Sequence, residues 1–506
     1  MAISFDIFPS YRRASMRQIE LVGKKRSTSG AYIPEKILIP GQYLAAKTGV
    51  TVGEIKHFYT ADEVGDWFGY GSEIHRQAVW IYAALGGFSE NVYTVGCTAA
   101  TGNAASLAIT ITGDATSSGT LYFSIAGNLY QISVASGDTD DEIAAALVAA
   151  ITADIAAPYT AAVGTAPSTN VVTCTAKNNG LNGNSMFAMM APDGVSQSSL
   201  APSGPAITFA TSGYFATGTG SIDIGDALYT SGGDDNLAGE WITLIAAPFQ
   251  DSTNIGKLKT YLTARMNMSP NRLAGSVIGY VNKSYTDALA VPATINSKHI
   301  APIWDARSLA PDIEFGAAVL GMCAYSATLD PGRPFVTLPV GVPVKANVFD
   351  LDYARNDALF RAGIGYCKLD ASGDMILGDV ALSYRLTAAG AATEEWFDMV
   401  SLTRRQVKAY QAEQTFLSDP YTRGMVGSDD IVTAKDYVIK PKKVLADIYA
   451  LIDNWAAEGW TKNPDAVKAT AKAEINATNQ SRIDAELTDD EAAALRVIAL
   501  RLALLY

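Results

Sequence analysis

Cysteine and histidine are scarce in this chain of 506 residues: four of the first and three of the second. Cys97, Cys174, Cys323 and Cys367 lie far apart and form no CxxC pair. That argues against a disulfide scaffold and a structural zinc site, and suits a protein folded in a reducing compartment. The histidines, His57, His75 and His299, leave little for histidine-based catalysis. No uncharged apolar run reaches 18 residues, so no membrane-spanning helix is expected. The opening MAISFDIFPSYRR has no basic segment followed by an apolar one, so no secretory leader is expected. Basic residues are outnumbered, 38 against 51 acidic, for a net charge of −13. Such a surface repels phosphate backbones and disfavours general nucleic-acid binding.

Catalytic motifs are also missing. There is no GxxxxGK[ST] loop, no HExxH and no GxSxG, and Gly218-Thr219-Gly220 is not completed to GxGxxG. The acidic pairs Asp140-Asp141, Asp234-Asp235, Asp429-Asp430 and Asp489-Asp490 read as a helix start and solvated turns. No metal, cofactor or catalytic residue is assigned, and the chain is not expected to be an enzyme.

What is present is an α/β pattern interrupted by a segment of different composition. Ile37 to Pro40 reads as a buried strand, Ala61 to Phe68 as a helix, and Ser72 as the N-cap of a second helix stopped by Gly86-Gly87. From Asn91 to Gly220 only eight of 130 positions are charged, against 18% overall. Leu107 to Ile111, Leu121 to Ile125 and Val171 to Cys174 look like strands there, and Thr139 with Glu142 forms a capping box before one helix. This predicts a mostly-β domain inserted at about residues 95–220.

The α/β pattern then resumes. Leu237 to Ala247 is a helix or a buried strand, Ile255 to Met268 a helix ended by Pro270, and Gly275 to Val281 a strand. Pro311 is placed at N1 of a helix running to about Ala327. Near the end, Tyr366 to Leu369 and Met375 to Leu377 form a hairpin, and Leu382 to Leu386 extends the sheet. Long helices are expected over Glu395 to Leu417 and Pro441 to Trp455.

Both termini carry strand-like segments without a neighbour in sequence. Arg17 to Val22 alternates polar and apolar, with Arg17, Ile19, Leu21 and Val22 as its candidate pairing residues. Arg496 to Tyr506 places Ile498, Leu500, Leu502, Leu504 and Tyr506 on one face of a strand. An apolar tail of this kind must be covered. It is either the last core strand of its own chain or an arm that docks into a neighbour by strand addition. Basic clusters at Lys24-Lys25-Arg26, at Arg404 and Arg405, and at Lys440, Lys442 and Lys443 are solvated faces or contacts to an acidic partner.

A set of short motifs in fixed order carries a resemblance. They are Ile3-Ser4-Phe5-Asp6 with Pro9 and Arg12-Arg13; Ile37 through Ala45; Phe68-Gly69-Tyr70-Gly71-Ser72; Asn296-Ser297-Lys298-His299-Ile300; Asp330-Pro331-Gly332-Arg333-Pro334 with Thr337-Leu338-Pro339; and Asn356 through Ile364. In this order they resemble contractile-tail sheath proteins of Mu-like phages, over nearly the whole chain. Lys298 stands where proline is usual, Arg385-Leu386-Thr387 is a degraded form of a family strand, and Lys24-Lys25-Arg26 is unexpected there.

The resemblance implies a multidomain α/β (α+β) fold with extended arms. Its parts would be an N-terminal arm (1–26), a discontinuous α/β core (27–94 and 221–350), the inserted outer domain (95–220), a C-terminal α/β domain (351–490) and a C-terminal arm strand (491–506). It implies a virion structural protein that polymerises with copies of itself as stacked rings around a tail tube. The arms complete sheets in neighbours, and contraction drives the tube through the host envelope for genome ejection. The implied partners are neighbouring sheath subunits, the tail tube protein, the baseplate and the tail terminator, without nucleic acid or membrane insertion. Assembly would occur in the host cytoplasm. Arg404, Arg405, Lys440, Lys442 and Lys443 would be candidates to face the tube. The alternative is the sheath of a tailocin or another phage-derived injection particle. Outside this class, the insertion could bind surface glycans on a tail, or the chain could be a serine hydrolase.

Overall fold

The computed structural model describes residues 33, 35–190, 201–268, 271–345, 348–498 and 500–501. Arg17, Ile19, Leu21, Val22, Leu502 and Leu504 lie outside the described residues.

The core opens with β1 (Ile37–Gln42), β2 (Ile55–His57), helices α1 (Ala61–Phe68) and α2 (Glu73–Leu85), and β3 (Val92–Cys97). The turn between the helices explains the Phe-Gly-Tyr-Gly-Ser motif. Gly69 caps α1 at φ +97 and Gly71 sits at φ +80, both disfavoured for a residue with a side chain. A Cβ on Gly71 would stand 2.1 Å from the Ala157 carbonyl oxygen. Ser72 then caps α2 by accepting the His75 amide.

The insertion follows. Strands β4 (Ala104–Thr112), β5 (Gly119–Ile125) and β6 (Asn128–Val134) precede helix α3 (Asp140–Ala153), whose capping box between Thr139 and Glu142 is formed. β7 (Tyr159–Val163), β8 (Val171–Asn179), β9 (Ala188–Met190) and β10 (Ala206–Phe209) complete two small sheets, ordered β10-β4-β8-β7 and β6-β5-β9. They enclose their own apolar cluster, with Leu107, Ile109, Phe123, Leu147, Cys174 and Phe215 near its centre.

The chain returns through α4 (Gly225–Leu228), β11 (Leu244–Ala246), α5 (Ser252–Met266), β12 (Gly275–Tyr280), α6 (Tyr285–Ile295), β13 (Ile300–Trp304) and α7 (Asp312–Leu329). α8 (Tyr353–Ala362), β14 (Gly365–Leu369) and β15 (Met375–Asp379) follow. An eight-stranded sheet runs β15-β14-β13-β12-β11-β1-β3-β2. Pairing is parallel from β14 to β3, and the two edge strands are antiparallel. Helices cover both faces, as a parallel sheet requires. Ile37 and Ile39 join α2 and α7 on one face, whereas Leu38 joins α5 and α6 on the other.

The last part contains α9 (Met399–Phe416), the short parallel pair β16 (Met425–Val426) and β17 (Val438–Ile439), α10 (Pro441–Ala457), α11 (Pro464–Thr470), and a hairpin of β18 (Lys472–Ile475) with β19 (Ile483–Glu486). Val444, Ile448, Leu451, Ile452 and Trp455 of α10 pack with Val407 and Trp460. Each such side chain stabilises by about 1.5–3 kcal/mol when fully buried.

Several expectations are corrected. Leu382 to Leu386 is not a strand of the sheet; Ser383 instead hydrogen-bonds Ile300 and Ser297 as a loop laid over it. α9 starts at Met399, not Glu395, because Asp398 is extended and caps it, so Trp396 precedes the helix. Pro311 is the N-cap of α7 rather than its first residue. Leu237 to Ala247 resolves to the short strand β11 after a turn segment. The composition boundary at Val95 falls inside β3, where Val95 and Cys97 are buried core residues.

Candidate inter-subunit site in the C-terminal region

Two small sheets near the end of the chain face one another across an apolar slot. One wall is β16 and β17, with Met425, Val426 and Ile439; the other is the β18–β19 hairpin, with Ile483 and Ala485. Phe416, Tyr421 and Val444 form the floor, and the slot encloses about 330 Å³. The hairpin alternates: Ala473 pairs with Ala485 and Ile475 with Ile483, so its apolar residues share one face. Its turn is set by Asn476, whose side chain accepts the amides of Thr478 and Asn479. This hairpin was not expected from the sequence; the Ala/Ile alternation on either side of Asn476 to Ser481 is the signal that could have found it.

Two-stranded sheets leave unpaired backbone edges, which accept a further strand. The chain between α9 and α10 also exposes apolar side chains: Leu417, Met425, Ile431, Val432 and Tyr437, with Val432 fully exposed.

The chain's own end does not fill this slot among the described residues. Residues 489–492 cross α9 instead. Asp489 and Glu491 pair with Lys408, Glu491 also pairs with Arg405 at 2.8 Å, and the Arg404 guanidinium donates to the Ala492 carbonyl. Arg404 is buried and Arg405 lies over the Trp396 ring at 4.1 Å. These two arginines are thus occupied within the subunit. Lys442 and Lys443 are exposed, Lys443 pairing with Asp447, and half-buried Lys440 donates to the Ile431 carbonyl. After Arg496 the chain is exposed: Val497 by 65%, Ile498 by 80% and Leu500 by 87%. Ile498 and Leu500 belong to no strand of their own subunit.

The motif at Ile3 to Arg13 lies outside the described residues; three of the other motif positions hold the fold together. Asn296 caps α6 in the left-handed region and its side chain accepts the Arg385 and Leu386 amides. A Cβ on Gly332 would meet the Trp460 indole nitrogen at 2.3 Å, and the Pro331 carbonyl accepts from Thr403, so the Asp-Pro-Gly turn docks the C-terminal helices. Lys298 lies over the rings of Tyr384 and Trp396.

The histidines are spoken for. Burial pushes His75 and His299 down to about 4; their Nδ1 atoms meet the Gly71 amide and the Ala274 carbonyl. His57 Nε2 lies 2.6 Å from the Glu90 carbonyl oxygen. Among the described residues no group of three His, Cys, Asp or Glu could hold a metal ion, and no helix is long and apolar enough to cross a membrane.

No family model matches the sequence. The chain is 23% identical over 487 residues to the Mu-like prophage FluMu tail sheath protein of Haemophilus influenzae, covering 96% of each chain. Among solved structures it is similar to the sheath tail protein of Desulfitobacterium hafniense, at 11% identity and a TM-score of 0.47, covering 94% of this chain and 100% of that one. It is also similar to the sheath tail protein of Listeria innocua, at 12% identity and a TM-score of 0.45, covering 91% and 96%. The contracted helical sheath of the anti-feeding prophage matches at 10% identity and a TM-score of 0.47, covering 97% and 99%. The chain is thus similar to a Mu-like tail sheath protein over 96% of both chains, in keeping with the resemblance carried by the six ordered motifs.

Proposed function

We propose that this chain is the repeating subunit of a contractile tail sheath that stacks in rings around a tail tube and contracts to drive the tube through the host envelope. The observation that carries the reading is the whole-length similarity to a tail sheath protein. The apolar slot and the exposed apolar tail suggest how subunits join. The tail from Val497 adds a strand in a neighbour's slot, and the segment containing Arg17, Ile19, Leu21 and Val22 serves as the second arm. Main-chain hydrogen bonds would supply affinity and the slot's side chains the register.

Contraction needs no nucleotide in this account. Its energy is the difference between two packings of the same subunits, while the arms keep them linked. The insertion, with its own core, is the outer domain; the eight-stranded sheet and the helices after it lie nearer the tube. Exposed Lys442 is the basic residue offered to an acidic tube surface, since Arg404 and Arg405 are engaged within the subunit, Lys440 donates to the Ile431 carbonyl and Lys443 shares its charge with Asp447. The subunit works mechanically in the virion tail, assembled in the host cytoplasm, with the tube, baseplate and terminator as partners. No observation favours the tailocin alternative.

Deleting Val497 to Tyr506 tests the arm. The expected product is a folded monomer that forms no tubes; normal tubes from the deletion would refute the arm.

A further inference from the structure

Arg496 occupies a position that neither the motifs nor the composition mark. Among the described residues it is the last of the tail held by side-chain contacts, before exposed Val497, Ile498 and Leu500. Its Nε donates to Asp379 at the end of β15 at 2.7 Å, and its Nη2 donates to Asp398, the N-cap of α9. The guanidinium also lies over the rings of Phe360 at 4.8 Å and Phe397 at 5.5 Å. Asp379 and Asp398 are buried, so one arginine neutralises two carboxylates withdrawn from water. Upstream, the strap is held by Lys408, Arg405 and Arg404 of α9 and by the Ala492 amide donating to the Trp460 carbonyl at 2.9 Å. Downstream, Val497, Ile498 and Leu500 are exposed.

We propose that Arg496 is the anchor of the C-terminal arm: a positioning residue that fixes the point and direction at which the arm leaves the subunit. The inference rests on the reading of the tail as an arm. A short tether raises the effective concentration of an arm at its acceptor only if its root is held where the arm can span the gap. Loosening the root lengthens the tether by the residues back to Ala492 and lets the arm point elsewhere. The latch is electrostatic at a solvent-facing edge, with the Arg496 side chain 27% exposed, so it can be opened without dismantling the core.

The test uses the full chain carrying Asp379→Asn and Asp398→Asn. Asparagine keeps an oxygen for the Val380 and Ser401 amides, so the β15 end and the α9 cap survive while the arginine loses both anions. Brief trypsin treatment followed by intact mass reads the anchor directly. In the unaltered protein, cleavage after exposed Arg501 should precede cleavage after Arg496 by about tenfold, and in the variant the two should become comparable. The concentration needed to form tubes should rise about tenfold in the variant, and Arg496→Lys should fall between, keeping charge but losing the fork. Equal cleavage at both sites in the unaltered protein overturns the anchor. So does a variant that assembles at the ordinary concentration while the Val497–Tyr506 deletion does not. If the deletion itself assembles, the arm reading has failed instead, and the anchor falls with it.

Discussion

Replacing Glu314 by alanine should destabilise the subunit more than any surface change, because it strands a buried cation between the core and the insertion. Arg76 of α2 forms a bidentate pair with Glu314 of α7, Nε to Oε1 at 2.9 Å and Nη2 to Oε2 at 2.7 Å. Trp80 donates to the same carboxylate at 2.6 Å. The two side chains are 8% and 1% exposed. Arg76 also reaches the Ala156 carbonyl and Asn128 of the insertion at 3.4 Å. Removing one partner of a buried pair costs about 3–5 kcal/mol, whereas replacing both by apolar residues of similar volume is often close to neutral. Glu314→Ala should therefore cost about 3–5 kcal/mol, and Arg76→Met with Glu314→Leu markedly less. Urea unfolding of monomer, followed by tryptophan fluorescence, reads the four corners of the cycle. The reasoning is refuted if the single variant loses under about 1 kcal/mol, or if the double variant is the worse of the two.

Glu73 gives a pH signature. Burial lifts its carboxyl from 4.5 to about 7, and the Gln42 amide and Asn182 only partly offset this. A raised folded-state value means that the contribution is fully present below about pH 4.5 and is lost as pH rises through 7; at about 1.4 kcal/mol per unit it amounts to about 3 kcal/mol. Glu73→Gln should flatten the fall in stability between pH 5 and 8, and an unchanged slope would contradict the assignment. Gly71→Ala should cost at least about 2 kcal/mol in the same urea assay, from both its positive φ and the Ala157 carbonyl. Deleting residues 98–221 with a short linker should spare folding and tube formation, because β3 ends at Cys97 and Ile222 already belongs to the core. Failure of that shortened chain to fold would make the insertion part of the core.

The parts of the fold that were legible in sequence are those governed by local chemistry. The caps at Ser72 and Thr139, the α10 stripe and the hairpin around Gly373 need only neighbouring residues to explain them. Four of the ordered motifs contain positions of backbone constraint: Gly71 against the insertion, Asn296 holding Arg385, Gly332 against Trp460, and Gly363 ending α8 in the left-handed region. What stayed hidden depends on partners far away in the chain. Arg404 and Arg405 look like a free basic patch until residues 491 and 492 are laid across them. Arg496 has no local signal at all, since its partners lie 98 and 117 positions away. β7, β9 and β10 were missed because they are short, five, three and four residues, and a run of that length shows too little periodicity to stand out.

Electron microscopy of the purified full-length protein tests most directly whether this subunit builds a sheath. Long hollow tubes with a regular helical repeat are expected, formed by the protein alone or when co-expressed with a tail tube protein. Monomers under both conditions would contradict that.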